Sequence, residues 1–183
     1  MVSMLRKSLS FWVLLLMASS LLQCGSSGKQ VPPLRVVSHV DLKTYTGTWY
    51  EIARYPTRFQ EGCVGSRATY TLREDGDIAV LNQCHIGSLD GEISSAKGKG
   101  WVIDPGTNAK LKVSFFWPFS GDYWIIDLGE NYDYAVVGHP SREYLWILSR
   151  TPRMDEGLYD QILGRLKDQH YDVSKLVKTS QQP

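Results

Sequence analysis

The chain has 183 residues, 43% of them hydrophobic, with 20 basic and 19 acidic side chains giving a formal net charge of +1. That size suits one globular domain with extensions and enough apolar material for a substantial core. The charge balance argues against nucleic acid as a partner, which would require a basic face.

The N-terminus reads as a targeting segment. Arg6 and Lys7 precede an apolar run from Leu9 to Leu22 that is too short and too poorly flanked to span a bilayer well. Residues 1–23 are expected to be a signal peptide. Leu21-Leu22-Gln23-Cys24 resembles the lipobox of bacterial lipoproteins, in which the cysteine is acylated (palmitate among the acyl groups) and becomes the first mature residue. Gln23 stands where that pattern prefers a small residue, and an ordinary secretory signal is the other reading. The resemblance implies an outer-membrane lipid anchor facing the periplasm, since Gly25 rather than aspartate follows Cys24. The alternative is a soluble, secreted protein. Residues 24–39 then form a tether, with Gly25 to Pro33 flexible by composition.

The mature region, residues 40–178, opens with a short amphipathic lead-in, Asp41 to Tyr45. A strand follows over Gly47 to Ala53, with Trp49, Glu51, Ala53 and Tyr55 on one face by two-residue alternation. Pro56 to Ser66 is a loop carrying Phe59, either a lid packed on its own domain or a gate touching ligand. Cys63 and Cys84 are an even pair in an exported chain, which suggests a disulfide; a reactive thiol is the alternative. Ala68 to Arg73 alternates with Tyr70 on its apolar face, turns at Glu74-Asp75-Gly76-Asp77, and returns as Ile78 to Cys84. Asn82 inside that strand is either an outward, edge residue or a polar group facing a cavity. Glu92 to Asp104 is a long strand bent by Gly98 and Gly100. Ala109 to Trp117 alternates strongly, placing Val113 and Phe115 together. Asp122 to Leu128, Tyr132 to Val137 and Tyr144 to Arg150 complete eight strands joined mostly by short turns. Eight such strands can close into a barrel with room for one small ligand. Leu158, Ile162 and Leu166 then mark one apolar stripe of a helix capped by Asp155 and ending near His170. Asp172 to Lys178 adds a short closing strand in this reading, and residues 179–183 read as a frayed tail.

Catalytic patterns are scarce. His39, His85, His139 and His170 lack metal-ligand spacing, and neither a nucleophile elbow nor a phosphate loop is present. No catalytic residue, metal or cofactor is expected. Glu51 is the carboxylate of interest: facing inward, it needs a partner or an altered pKa. It serves as a structural hydrogen bond or as a contact for a ligand head group. Ten tyrosines, six tryptophans and five phenylalanines suit an apolar site as well as a packed core.

Several of these residues resemble the lipocalin family. Gly47-x-Trp49 stands at the first strand, Asn131-Tyr132-Asp133-Tyr134 between the sixth and seventh, and Leu148-Ser149-Arg150 at the end of the eighth. The wording is similar to that of the bacterial lipocalin and apolipoprotein D branch. The resemblance implies an all-β, eight-stranded antiparallel up-and-down barrel with a C-terminal α-helix outside. Arg150 would lie across the Trp49 ring at the closed end, and Gly47, Trp49 and Arg150 would be structural. Glu51, Ala53, Tyr55, Tyr70, Asn82, Val113, Phe115 and Trp146 would line the ligand site. The implied activity is non-enzymatic binding, storage or transport of fatty acids or lysophospholipids at the bacterial envelope. The partners would be a small lipophilic ligand, the membrane through its anchor, and a homodimer partner. The alternatives are a lipocalin-fold enzyme using an unpaired interior cysteine, and a structural envelope protein with a filled barrel.

Overall fold

The computed structural model describes residues 31–182. The signal peptide and Cys24 expected from the sequence lie outside that range.

A single turn of helix, α1 (Leu42–Tyr45), is capped by Asp41, whose carboxylate accepts from the Thr44 amide at 2.7 Å. The strands are β1 (Gly47–Arg54), β2 (Cys63–Leu72), β3 (Ile78–Ile86), β4 (Ile93–Val102), β5 (Lys110–Phe116), β6 (Phe119–Leu128), β7 (Tyr134–Gly138) and β8 (Leu145–Ser149). Helix α2 (Glu156–Asp168) and a two-residue strand, β9 (Val177–Lys178), follow. Each of β2 to β8 pairs with its sequence neighbour, all antiparallel; β1 pairs with β8 on one edge and β2 on the other, so the sheet closes into a barrel. Closure removes the exposed edges that an open eight-stranded sheet would present.

Strands β2 and β6 begin earlier than their alternation suggests, at Cys63 and Phe119. In β2 the cause is a register shift between Val64 and Arg67, which interrupts the two-residue period. Cys63 and Cys84 are joined in a disulfide, with Cα atoms 5.5 Å apart.

Two apolar clusters organise the domain. One fills the lower barrel around Trp49, Tyr70, Val80, Leu111, Ile125 and Val137. The other lies outside the barrel, where Tyr159, Ile162 and Leu166 of α2 cover Ile52, Ile126, Val136 and Ile147. Asp155 caps α2 by accepting from the Leu158 amide at 2.9 Å, and His170 leaves the helix at φ +64°. Each large aliphatic side chain buried under the helix contributes about 1.5–3 kcal/mol.

The tail is not frayed. β9 pairs with Ala53 and Arg54 above the point where β1 leaves β2. The Thr179 amide then donates to the Ile52 carbonyl, and the Gly65 amide donates to the Ser180 carbonyl at 2.7 Å. The Gln181 side-chain amide bridges the carbonyls of Glu51 and Ser66. The last residues therefore occupy the seam between β1 and β2.

Candidate functional site

The first strand does not alternate to its end. Its register against β8 runs Glu51 to Leu148, then Ala53 to Ile147 and Arg54 to Trp146. This bulge at Ile52 shifts the phase by one residue. Trp49 and Glu51 point inward, but Ala53 and Tyr55 do not: both belong to the outer cluster beneath α2, and the Tyr55 hydroxyl donates to the Asp172 carbonyl at 2.8 Å. Placing Ala53 and Tyr55 at the ligand site was therefore wrong, because simple alternation does not survive a bulge. Arg54 takes the inward position instead, and the sequence carries no signal for that exchange.

Glu51 and Arg54 lie at the centre of a polar knot. Gln60, in the short 3-10 turn Arg58–Gln60 after β1, donates to Glu51 Oε2 at 2.7 Å. Thr179 of the tail donates to Glu51 Oε1 at 2.6 Å. Arg54 Nε faces Oε1 at 3.1 Å as an ion pair, without the alignment of a hydrogen bond. Arg54 Nη2 also donates to the Gln60 carbonyl, and Trp146 Nε1 donates to Gln60 Oε1 at 2.9 Å. Burial pushes the Glu51 carboxyl above its ordinary pKa, opposed by the bonds from Thr179 and Gln60 and by the Arg54 charge. A loop, the last strand and the tail thus converge on one carboxylate.

Below the knot lies a trio of tyrosines. The Tyr45 and Tyr123 hydroxyls are 2.8 Å apart, and Tyr123 donates to the Tyr70 hydroxyl at 3.0 Å. Burial raises all three pKa values, that of Tyr70 to about 12, so they stay neutral at physiological pH. Asn82 sits opposite Ala68 and Ala96, on the face that carries Val80, yet Asn82 and Ala96 are exposed. That register puts Asn82 on the inward face of β3. Val113 and Phe115 are partly buried against the inner cluster, and the Phe115 ring lies where a Cβ on Gly98 would stand, 2.8 Å away. Glycine at 98 therefore makes room for that ring. Trp146 stacks on Tyr144 with ring centroids 6.0 Å apart, and Phe59 approaches both at 6.4 and 6.5 Å. The result is a packed, tyrosine-lined floor, a charged knot on the inner wall and an aromatic rim.

The sequence pattern of a lipocalin-like domain matches residues 40–181. The chain belongs to the lipocalin family. Among its relatives, temperature-induced lipocalin-1 of Arabidopsis thaliana is 43% identical over 157 residues, covering 81% of this chain and 83% of that protein. The outer membrane lipoprotein Blc of Vibrio cholerae is 40% identical over 172 residues, covering 93% and 98%. Apolipoprotein D of Macaca fascicularis is 33% identical over 159 residues, covering 82% and 81%. Among solved structures, insecticyanin from the tobacco hornworm Manduca sexta superposes with a TM-score of 0.66 at 20% identity, over 82% of this chain and 86% of that one, a likeness of fold.

In this lipocalin the closed end is built as the motif residues imply. The Arg150 guanidinium lies 3.7 Å from the Trp49 ring centroid. It also donates to the carbonyls of Thr44, Tyr45, Thr48 and Tyr132. Gly47 sits at φ +98°, and a Cβ there would stand 3.1 Å from Arg150 Nη1. Both the backbone angle and the close approach favour glycine.

Proposed function

We propose that this lipocalin binds small lipophilic molecules with a polar head, fatty acids and lysophospholipids, and carries or stores them at the bacterial envelope. The observation that supports this reading is the grouping of side chains: aromatic residues near the mouth, a tyrosine-lined floor and one compact polar knot on the inner face between them. Apolar burial supplies affinity, at about 25 cal/mol per Å². Arg54 is the group suited to a carboxylate or phosphate head, while Glu51, already holding Gln60, Thr179 and Arg54, sets the arginine's position. Asn82, Tyr70, Val113, Phe115 and Trp146 are the other contacts in this reading. The test is titration of the delipidated protein with a fatty acid and with its methyl ester. Saturable binding of the acid is expected, weakened roughly tenfold by Arg54→Gln with little change for the ester. Absence of saturable binding by the parent protein would sink the proposal.

The pairing of Cys63 with Cys84 supports the binding reading over an enzyme that would use one of these thiols unpaired.

The same reading places an acyl anchor on Cys24, after removal of residues 1–23, and holds the protein at the outer membrane. The support is the alignment with the Vibrio cholerae outer membrane lipoprotein over 93% of this chain. Cys24→Ala is expected to abolish incorporation of a labelled palmitate analogue, with incorporation unchanged counting against it.

A further inference from the structure

Most of the exposed large apolar side chains among the described residues, and the most exposed of them, lie at one end of the barrel. Phe116, Trp117 and Phe119, at the tip of the β5–β6 hairpin, are 79%, 84% and 77% exposed, and Phe59 in the β1–β2 loop is 69% exposed. All four stand at the open mouth, where exposed Ile86 and Ile93 flank the β3–β4 loop. At the closed end, Leu72 and Ile103 are the large hydrophobics exposed among the described residues. Singly scattered apolar side chains need no explanation, but a segregated aromatic set does.

We infer that the mouth of the barrel docks on a lipid bilayer, with the Phe116–Phe119 hairpin tip inserted among the head groups. A narrow projecting tip with a tryptophan between phenylalanines suits the boundary between head groups and acyl chains. Charge narrows the choice of surface. The four loops at the mouth, residues 55–62, 87–92, 117–118 and 139–144, carry Arg58 and Arg142 against Glu61, Asp90, Glu92 and Glu143. Two cations against four anions give no attraction to acidic lipids, so the matching surface is zwitterionic and the contact is apolar.

The course of the chain agrees. Arg142, in the β7–β8 loop at the mouth, donates from Nη2 to the Pro32 carbonyl at 2.6 Å. From there the chain descends the outside of the barrel to the closed end, where the Val40 amide bonds the Thr107 carbonyl at 2.8 Å. Cys24 precedes Val31 by seven residues, which span at most about 25 Å. That reach lets an acyl group on Cys24 hold the protein while the mouth meets the same membrane. Ligand could then pass between bilayer and barrel without crossing water.

The experiment uses the exported protein with its own N-terminus, reconstituted with phosphatidylcholine vesicles whose acyl chains are brominated. Bromine quenches tryptophan fluorescence only at short range. Quenching is expected to be largely insensitive to salt, and Trp117→Phe is expected to remove a distinct quenched component. Phe116→Ser with Phe119→Ser should weaken quenching at Trp117 at least twofold (roughly, for the loss of two inserted rings). A closed-end pair, Leu72→Ser with Ile103→Ser, should leave it unchanged. Equal quenching in the parent and Trp117→Phe overturns the proposal, and so does an equal loss from the closed-end pair. The competing occupant is a second copy of the chain: a dimer by sedimentation that the Phe116/Phe119 variant dissociates, with Trp117 unquenched, also overturns it. Docking stands on the rim and not on the ligand reading. Loss of saturable fatty-acid binding with Trp117 quenching intact would sink only the latter.

Discussion

Glu51 illustrates how one side chain can serve both the fold and the site. Its carboxyl pKa is raised, chiefly by burial, so the folded state holds this proton more tightly than the unfolded chain does. As pH rises through the ordinary value near 4.5, the unfolded chain releases this proton first. Stability from this group is therefore present at low pH and falls until the folded-state pKa is passed. Urea midpoints measured across this range should show that decline in the parent and not in Glu51→Gln; parallel curves would count against it. Arg150 makes a different kind of contribution, through four carbonyls and one ring. Arg150→Ala is expected to cost about 2–4 kcal/mol in chemical denaturation, and Arg150→Lys to recover less than half of it. Trp49, Glu51 and Arg150 were legible in the sequence because their spacing lies before the bulge or within a recognisable motif. Arg54 and Gln60 were not. Arg54 becomes inward only through the extra residue at Ile52, and Gln60 reaches the interior from a loop that has no periodicity to read.

At the level of elements, the eight strands, their order and the helix were all readable, since alternation and turn residues recur along the chain. Boundaries were less so wherever a bulge broke the period, as in β2. Helix α2 is held by its apolar stripe rather than by propensity, for its sequence includes Gly157 and Gly164. Ile162, fully buried between helix and barrel, should cost about 2–5 kcal/mol when replaced by alanine, read from the denaturation midpoint. The tail defied the sequence reading because its polar residues, Thr179, Ser180 and Gln181, resemble those of a frayed end. Their bonds go to β1 and β2, two strands far away in sequence. Removing residues 179–183 should speed hydrogen exchange at the Gly65 amide, whose acceptor is the Ser180 carbonyl, while the Val40 amide at the closed end keeps its protection.

The whole molecule combines a rigid closed end, a loaded wall and an apolar mouth. The disulfide joins residues 21 apart, and its replacement by two serines should cost about 3 kcal/mol on the chain-entropy account, seen as a lower midpoint with the barrel still formed. The seam between β1 and β2 has a consequence for assembly. Glu51 is among the earliest residues of the barrel, and the Gln181 side chain that bonds its carbonyl comes 130 positions later. No nascent chain that stops short of Gln181 can complete that wall, so the seam closes only after residues 179–181 have emerged. A polypeptide emerging on the far side of a membrane, N-terminus first, would keep this seam unsealed until those residues arrived. A long insertion between Lys178 and Thr179 would hold this protein open at that seam.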